Sequence, residues 1–347
     1  VTSVRYSVKF NGTLLDSFAP SCGLRQGDPL SPFLFLFVAD GLSTILKNKV
    51  NRGELSPVKM CRRAPGISHL LLTDDTLLFF EASRRQAECV RAALQEYGAA
   101  TGQKLNYDKC SIFFGNSCPT ISQEQVRNAL QVTSAAFDER YLGLPTPDGR
   151  MSKGKFQNLQ ASLTKRLMQW GDGLLAQPGR EVLIKSVAQA LPTYIMGVFK
   201  LPMSVCDDLN RMVRNFWWGT SEGKRKTHWL AWPKIQAQKS KGGLGFRDFR
   251  LFNQALLARQ AWRLLTKPTS LCAQVLKARY YHDGRLEDTV FSGNSSPTWQ
   301  AIQHGLELLK KGIIWRVGDG KNIGYGATDG CRGNPRANLS RSKAPAG

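Results

Sequence analysis

Asp74 and Asp75 stand side by side between two short apolar runs, His69-Leu-Leu-Leu72 and Thr76-Leu-Leu-Phe-Phe80. This pattern predicts two strands around a turn, a buried hairpin with paired carboxylates at its tip. Mg²⁺ takes oxygen ligands, often one or two carboxylates together with substrate phosphates. Two such ions stabilise both the attacking and the leaving oxygen of a phosphoryl transfer. Asp is also a favoured turn residue, so the pair taken alone fits ordinary turn chemistry better than a metal site.

The elements around the pair read as mixed α and β. Arg5 to Phe10 alternates, meets the hairpin signal Asn11-Gly12, and returns as Thr13 to Phe18. Cys22-Gly-Leu-Arg-Gln-Gly-Asp-Pro-Leu-Ser-Pro32 is rich in turn residues and leads into an apolar helix, with Ser31 as expected N-cap and Pro32 in the first turn. Ser83 with Gln86 opens a helix to about Ala100, which Gly102 closes. Ser111 to Gly115 reads as a further strand. Beyond Tyr141-Leu-Gly-Leu-Pro145 the periodicity turns helical: Phe156, Leu159, Leu163, Leu167 and Trp170, then Val182 to Ile195, Asp207 to Trp218 and Phe252 to Leu265. The expected fold is α+β, an antiparallel sheet with helices followed by an all-helical region.

Charge separates the two halves. Residues 1–147 hold 16 basic and 13 acidic side chains, whereas residues 148–347 hold 32 and 13. So strong an excess repels itself unless a polyanion balances it, and nucleic acid is the commonest such partner. The longest apolar run, Phe33 to Ala39, has seven residues and cannot span a bilayer. Eight cysteines include no Cys-x-x-Cys pair, and with four scattered histidines they argue for reduced thiols in an intracellular, nuclear or cytoplasmic protein rather than a zinc site. Val1 to Val8 carries neither a signal sequence nor an initiator Met, and the expectation is a piece of a longer polypeptide.

Gly23-Leu-Arg-Gln-Gly-Asp-Pro-Leu-Ser-Pro32, the Asp pair, Gly102-Gln-Lys-Leu-Asn-Tyr-Asp-Lys109 and Tyr141-Leu-Gly143 occur in the order found in reverse transcriptases of non-LTR (LINE-type) retrotransposons. The chain most resembles the plant branch of that family. The likeness continues through Trp217-Trp-Gly219, Gly242-Gly-Leu-Gly245 and Trp262-Arg263, to about residue 323. It implies a partial palm at 1–147, a helical thumb at 148–220, a basic Trp-containing helical region at 221–323 and a disordered tail at 324–347.

The resemblance implies template-directed nucleotidyl transfer, with an RNA template, a DNA primer, dNTP and Mg²⁺ (or Mn²⁺) as partners. Asp74 would ligate the catalytic metals, and Asp75 would shape the site and coordinate them less directly. Gln26 and Gly27 would lie against nucleotide and template. Arg25 fits a phosphate contact or a solvated surface equally well. Lys109 would face the leaving pyrophosphate, or simply be exposed. Lys155, Lys165 and Arg166 would meet nucleic-acid phosphates without reading sequence. Trp217, Trp218, Trp229, Trp232 and Trp262 are expected in the core rather than against bases. Leu72-Thr73 stands where the family has an aromatic residue and Ala. The family's first palm motif, with a further metal-binding Asp, would lie upstream of Val1, as would the fingers. The expectation is therefore a polymerase piece that is inactive alone. A non-catalytic RNA- or DNA-binding remnant is the alternative, and a ribonuclease H-associated retroelement protein is a weaker one.

Overall fold

The computed structural model describes residues 4–21, 23–132, 140–146, 151–170, 175–221, 224–225, 227–282, 284–289 and 295–313. The tail expected at 324–347 lies outside them. The chain divides into two compact units, Val1–Asp138 and Glu139–Gly347.

Among the described residues, the first unit combines β-hairpins with three α-helices. Strands β1 (Lys9–Phe10) and β2 (Thr13–Leu14) flank Asn11-Gly12, whose φ values of 46° and 87° suit a hairpin turn. Helix α1 (Ser31–Asn51) follows, then β3 (Val58–Lys59) with β4 (Gly66–Ile67), and β5 (His69–Leu72) with β6 (Asp75–Leu78). Helices α2 (Arg84–Thr101) and α3 (Thr120–Leu130) complete the unit. Among the described residues the strands join only as two-stranded antiparallel pairs. Ser83 caps α2 by accepting from the Gln86 backbone N–H, and Gly102 closes it at φ 74°. The Gln86 side chain also donates to Ser56 Oγ and accepts from Ser56 N, both at 3.0 Å, so one residue ties the start of α2 to the preceding loop.

Two local expectations change. Ser31 is not the cap of α1, because its hydroxyl donates to the Arg25 carbonyl at 2.9 Å; Leu30 takes the cap position. Ser111 to Gly115 forms no regular element, and Phe113 is exposed. The core of the unit is Leu42, Leu46, Leu55, Val90, Ala93 and Tyr97, with Leu71 and Leu78 of the hairpin packed against it.

The second unit opens with β7 (Arg140–Tyr141) and β8 (Leu144–Pro145) and is then mainly helical. Helix α4 (Gln157–Gln169) is followed by α5 (Gln177–Leu183) and α6 (Thr193–Met196). The continuous helix expected over Val182 to Ile195 does not form. It widens into a π-helical turn at Ile184–Ala188 and breaks before Pro192, which has no N–H to continue the ladder. Helix α7 (Met203–Trp218), strands β9 (Thr220–Ser221) and β10 (Lys224–Arg225), and helices α8 (Trp232–Gln236), α9 (Phe249–Thr266), α10 (Leu271–Tyr280) and α11 (Pro297–Gly312) follow.

Among the described residues, two apolar clusters hold this unit. The first contains Phe156, Leu163, Ile184, Met196, Leu209, Phe246 and Phe249; the second contains Ala261, Leu264, Ala273, Trp299 and Leu306. Arg180 is buried and donates to the carbonyls of Leu175, Phe216 and Trp217, so its charge meets the C-terminal end of α7, where the helix dipole favours a cation. Asn253, also buried, donates to the Met196 and Phe199 carbonyls at 2.7 and 2.9 Å and accepts from Leu201 N at 2.9 Å.

Candidate active site

The β5–β6 hairpin places Asp74 in a two-residue turn and Asp75 at the first position of its strand. The register pairs Leu72 with Asp75, Leu71 with Thr76, Leu70 with Leu77 and His69 with Leu78. Side chains alternate faces along a strand. His69, Leu71, Thr76 and Leu78 therefore share the side that meets the helices, and Leu70, Leu72, Leu77 and Asp75 share the other. Both carboxylates are exposed, and so are Leu70 and Leu72. The expectation of a buried hairpin is corrected accordingly: one face packs on α1 and α2, and the tip lies in the open.

Thr73 shapes the tip. Its φ is 51°, a conformation that a β-branched residue adopts only under strain, and its hydroxyl is 2.7 Å from the Leu72 carbonyl and 3.0 Å from Asp74 Oδ1. The single hydroxyl proton is shared between these two acceptors, and the other Asp74 oxygen is left available to a cation. On the core side, His69 fixes the hairpin to α1: Nε2 lies 2.9 Å from Ser43 Oγ, while Nδ1 lies 2.9 Å from Ser68 Oγ. Burial, with Lys47 nearby, lowers the pKa of His69 below the usual histidine value, and the ring is neutral at pH 7.

The Arg25–Ser31 loop is built from its own hydrogen bonds. Asp28 Oδ1 accepts from Leu30 N at 2.8 Å, Asp28 N donates to the Arg25 carbonyl, and Gly27 has φ 85°. Arg25, Gln26 and Gly27 thus sit together on one exposed turn. A cavity of about 50 Å³ behind it, lined in part by Tyr6, Arg25, Asp28 and Ser31, has room for water and not for a nucleotide. Lys109 is exposed at the end of a short 3₁₀ turn, Tyr107–Lys109, capped by Asn106. Among the described residues, no hydrogen bond or ion pair connects the Asp pair, the Arg25 loop and Lys109. No three His, Cys, Asp or Glu side chains among them cluster closely enough to hold a metal. The pair suits Mg²⁺ in donor chemistry, both ligands being carboxylates, but supplies only part of a two-metal cage.

In the second unit, Lys165 and Arg166 are exposed on α4, whereas Lys155 is half-buried and donates to the Thr146 carbonyl at 3.2 Å. The neighbouring Lys153 joins Asp208 at 2.6 Å, and Gln160 and Arg211 bond the same carboxylate. These contacts hold Asp208 below the usual carboxylate range, with the Lys153 hydrogen bond as the largest cause. Trp217, Trp218 and Trp232 are buried as expected. Trp229 is 81% exposed, and Trp262 is 47% exposed. For these two the expected burial fails: neither belongs to an apolar cluster.

A family model described as reverse transcriptase (RNA-dependent DNA polymerase) matches residues 2–146, the segment that contains the loop and the hairpin. An uncharacterized mitochondrial protein of Arabidopsis thaliana is 40% identical over 132 residues, which are 38% of this chain and 86% of that protein. The Pol polyprotein of a type-2 retrotransposable element of Drosophila melanogaster is 29% identical over 104 residues, 30% of this chain and 9% of its own length. Residues 2–146 thus match the reverse-transcriptase family model, and the chain is similar to retroelement proteins. A third relative, an Arabidopsis thaliana protein provisionally named a ribonuclease H protein, is 32% identical over 206 residues, 58% of this chain; the chain spans 33% of that relative's length. No described helix is long and apolar enough to cross a membrane.

Proposed function

We propose that the chain is the palm-and-thumb part of a plant-type non-LTR retrotransposon reverse transcriptase. In this reading residues 1–147 carry the catalytic carboxylates, and the basic residues beyond 147 grip a primer–template. One observation carries it: the matched segment holds two carboxylates at the exposed tip of a β-hairpin whose other face is fixed to a helical core. Asp74 ligates Mg²⁺ or Mn²⁺, and Asp75 shapes the site from the outward face. The metal, when bound, supplies positive charge to the attacking and leaving oxygens of nucleotidyl transfer. Gln26 and Gly27 position nucleotide and template, and Lys109 meets the leaving pyrophosphate. Lys165 and Arg166 are free to meet phosphates, whereas Lys155 reaches them only by giving up its bond to Thr146.

Two carboxylates do not complete a two-metal cage. A reacting group misplaced by about 1 Å costs on the order of 100-fold in rate. The purified chain is therefore expected to bind an RNA–DNA primer–template, with affinity falling steeply in KCl, and not to extend it with dNTPs and Mg²⁺. Fusion to the upstream part of a retroelement relative is expected to restore extension, and Asp74→Ala in the fusion to abolish it with binding intact. Extension by the Asp74→Ala fusion refutes the assignment of Asp74. A fusion that binds and never extends favours the alternative of a non-catalytic nucleic-acid-binding protein.

A further inference from the structure

We infer that Trp229 is a stacking platform for an unpaired base of a single-stranded nucleic acid, with flanking lysines holding its phosphates. The inference rests on the nucleic-acid reading above and adds to it a contact with a base.

The segment around Trp229 does not leave indoles in water by default. Trp218 and Trp232 are 8% and 9% exposed, although each buried indole N–H finds no acceptor among the described residues. Trp229 lies between them and is 81% exposed. Its position is set on both sides. His228 stacks on the buried Trp218 ring, with centroids 5.5 Å apart and planes 17° from parallel. On the other side, Trp232 packs on Phe246 with centroids 5.6 Å apart. Backbone anchored this closely on either side presents the exposed ring in a restricted position. Leu230, 53% exposed, extends the apolar surface next to it.

The surrounding sequence is basic. Residues 221–250 contain eight Lys or Arg against two Asp or Glu. Arg250 pairs with Asp207, Lys239 reaches Glu181 at 3.4 Å, and Arg247 lies over the Phe252 ring. Lys234 and Lys241 are exposed and make no ion pair among the described residues. An exposed aromatic face carried on a basic segment suits a ligand that brings both π-faces and phosphates. In a duplex the base faces are covered by neighbouring pairs, and only unpaired bases can stack on a side chain. The site therefore selects for single strands, with little sequence preference, since every base has a face.

Fluorescence anisotropy of the full chain with a labelled oligouridylate, and with an RNA duplex of equal length, tests this. Trp229→Ala is expected to weaken oligouridylate binding about tenfold, with Trp229→Phe restoring most of the loss. The slope of log K against log[KCl] should stay the same, because no phosphate contact is removed. Duplex binding should change by less than about twofold. Equal binding by wild type and Trp229→Ala overturns the inference, and so does an equal loss on single strand and duplex. Unchanged RNA binding accompanied by altered sedimentation assigns the surface to a protein contact and overturns it too. If the wild-type chain binds neither ligand, the nucleic-acid reading itself falls, an outcome distinct from the others.

Discussion

Leu72 and Asp75 face each other across the hairpin on the side turned away from the helical core. An exposed leucine beside an exposed carboxylate gives the tip an apolar shoulder, while Thr73 and Asp74 form the turn itself. The two carboxylates, adjacent in sequence, thus differ in setting: Asp74 is tied to Thr73, and Asp75 stands on the open face.

Thr73→Gly should stabilise the first unit by about 1 kcal/mol. A β-branched residue at positive φ costs about 1–3 kcal/mol, and glycine removes that strain in exchange for backbone entropy and two exposed hydroxyl contacts. Hydrogen exchange in peptides from β5 and β6 is the appropriate measurement. Faster exchange in the variant would show that the hydroxyl contacts outweigh the strain.

Asn253→Ala should destabilise the second unit by about 3 kcal/mol, because it strands the Met196 and Phe199 carbonyls and the Leu201 N–H in a buried site. All eight tryptophans lie at or beyond residue 170, so fluorescence-monitored urea unfolding reads this unit directly. Asn253→Asp should be no milder, since a carboxylate cannot donate to the two carbonyls. A midpoint unchanged from wild type would contradict the bonding described.

Stability of the first unit should fall as the pH drops below about 6.5. The folded pKa of His69 is lowered, so the unfolded chain binds the proton more readily. The contribution is complete above the unfolded value and is lost as pH falls toward the folded one. His69→Gln should flatten this limb in hydrogen exchange of α1 and β5. His304, lowered by burial and by Lys200 and partly opposed by Glu307, gives the second unit a similar limb, which the His69 variant should leave in place.

Local signals in the sequence were reliable where they depend on neighbours in the chain. Asn11-Gly12 turns a hairpin, Ser83 caps and Gly102 ends α2, and the apolar runs about the Asp pair form strands in register. The errors came from tertiary competition. Ser31 has the chemistry of a cap but spends its hydroxyl on Arg25, and periodicity over Val182 to Ile195 does not reveal a π-turn. Composition could not separate Trp229 from Trp232, since both lie in the same apolar stretch and only packing on Phe246 distinguishes them. Within the candidate site the carboxylates were legible as a pair, whereas the hold of Thr73 on Asp74 depends on a positive φ that no residue type announces.

Helix α9 gives Phe249 to one apolar cluster of the second unit and Ala261 and Leu264 to the other. Gly305 of α11 lies so close to Leu257 and Ala258, midway along α9, that a single methyl group would strike the backbone there. The two clusters accordingly share one wall, which couples the loosening of one to the other. The second unit should act as a single foldon, losing the Trp218 and Trp299 environments in the same transition, so that damage near α11 is felt as far away as α4.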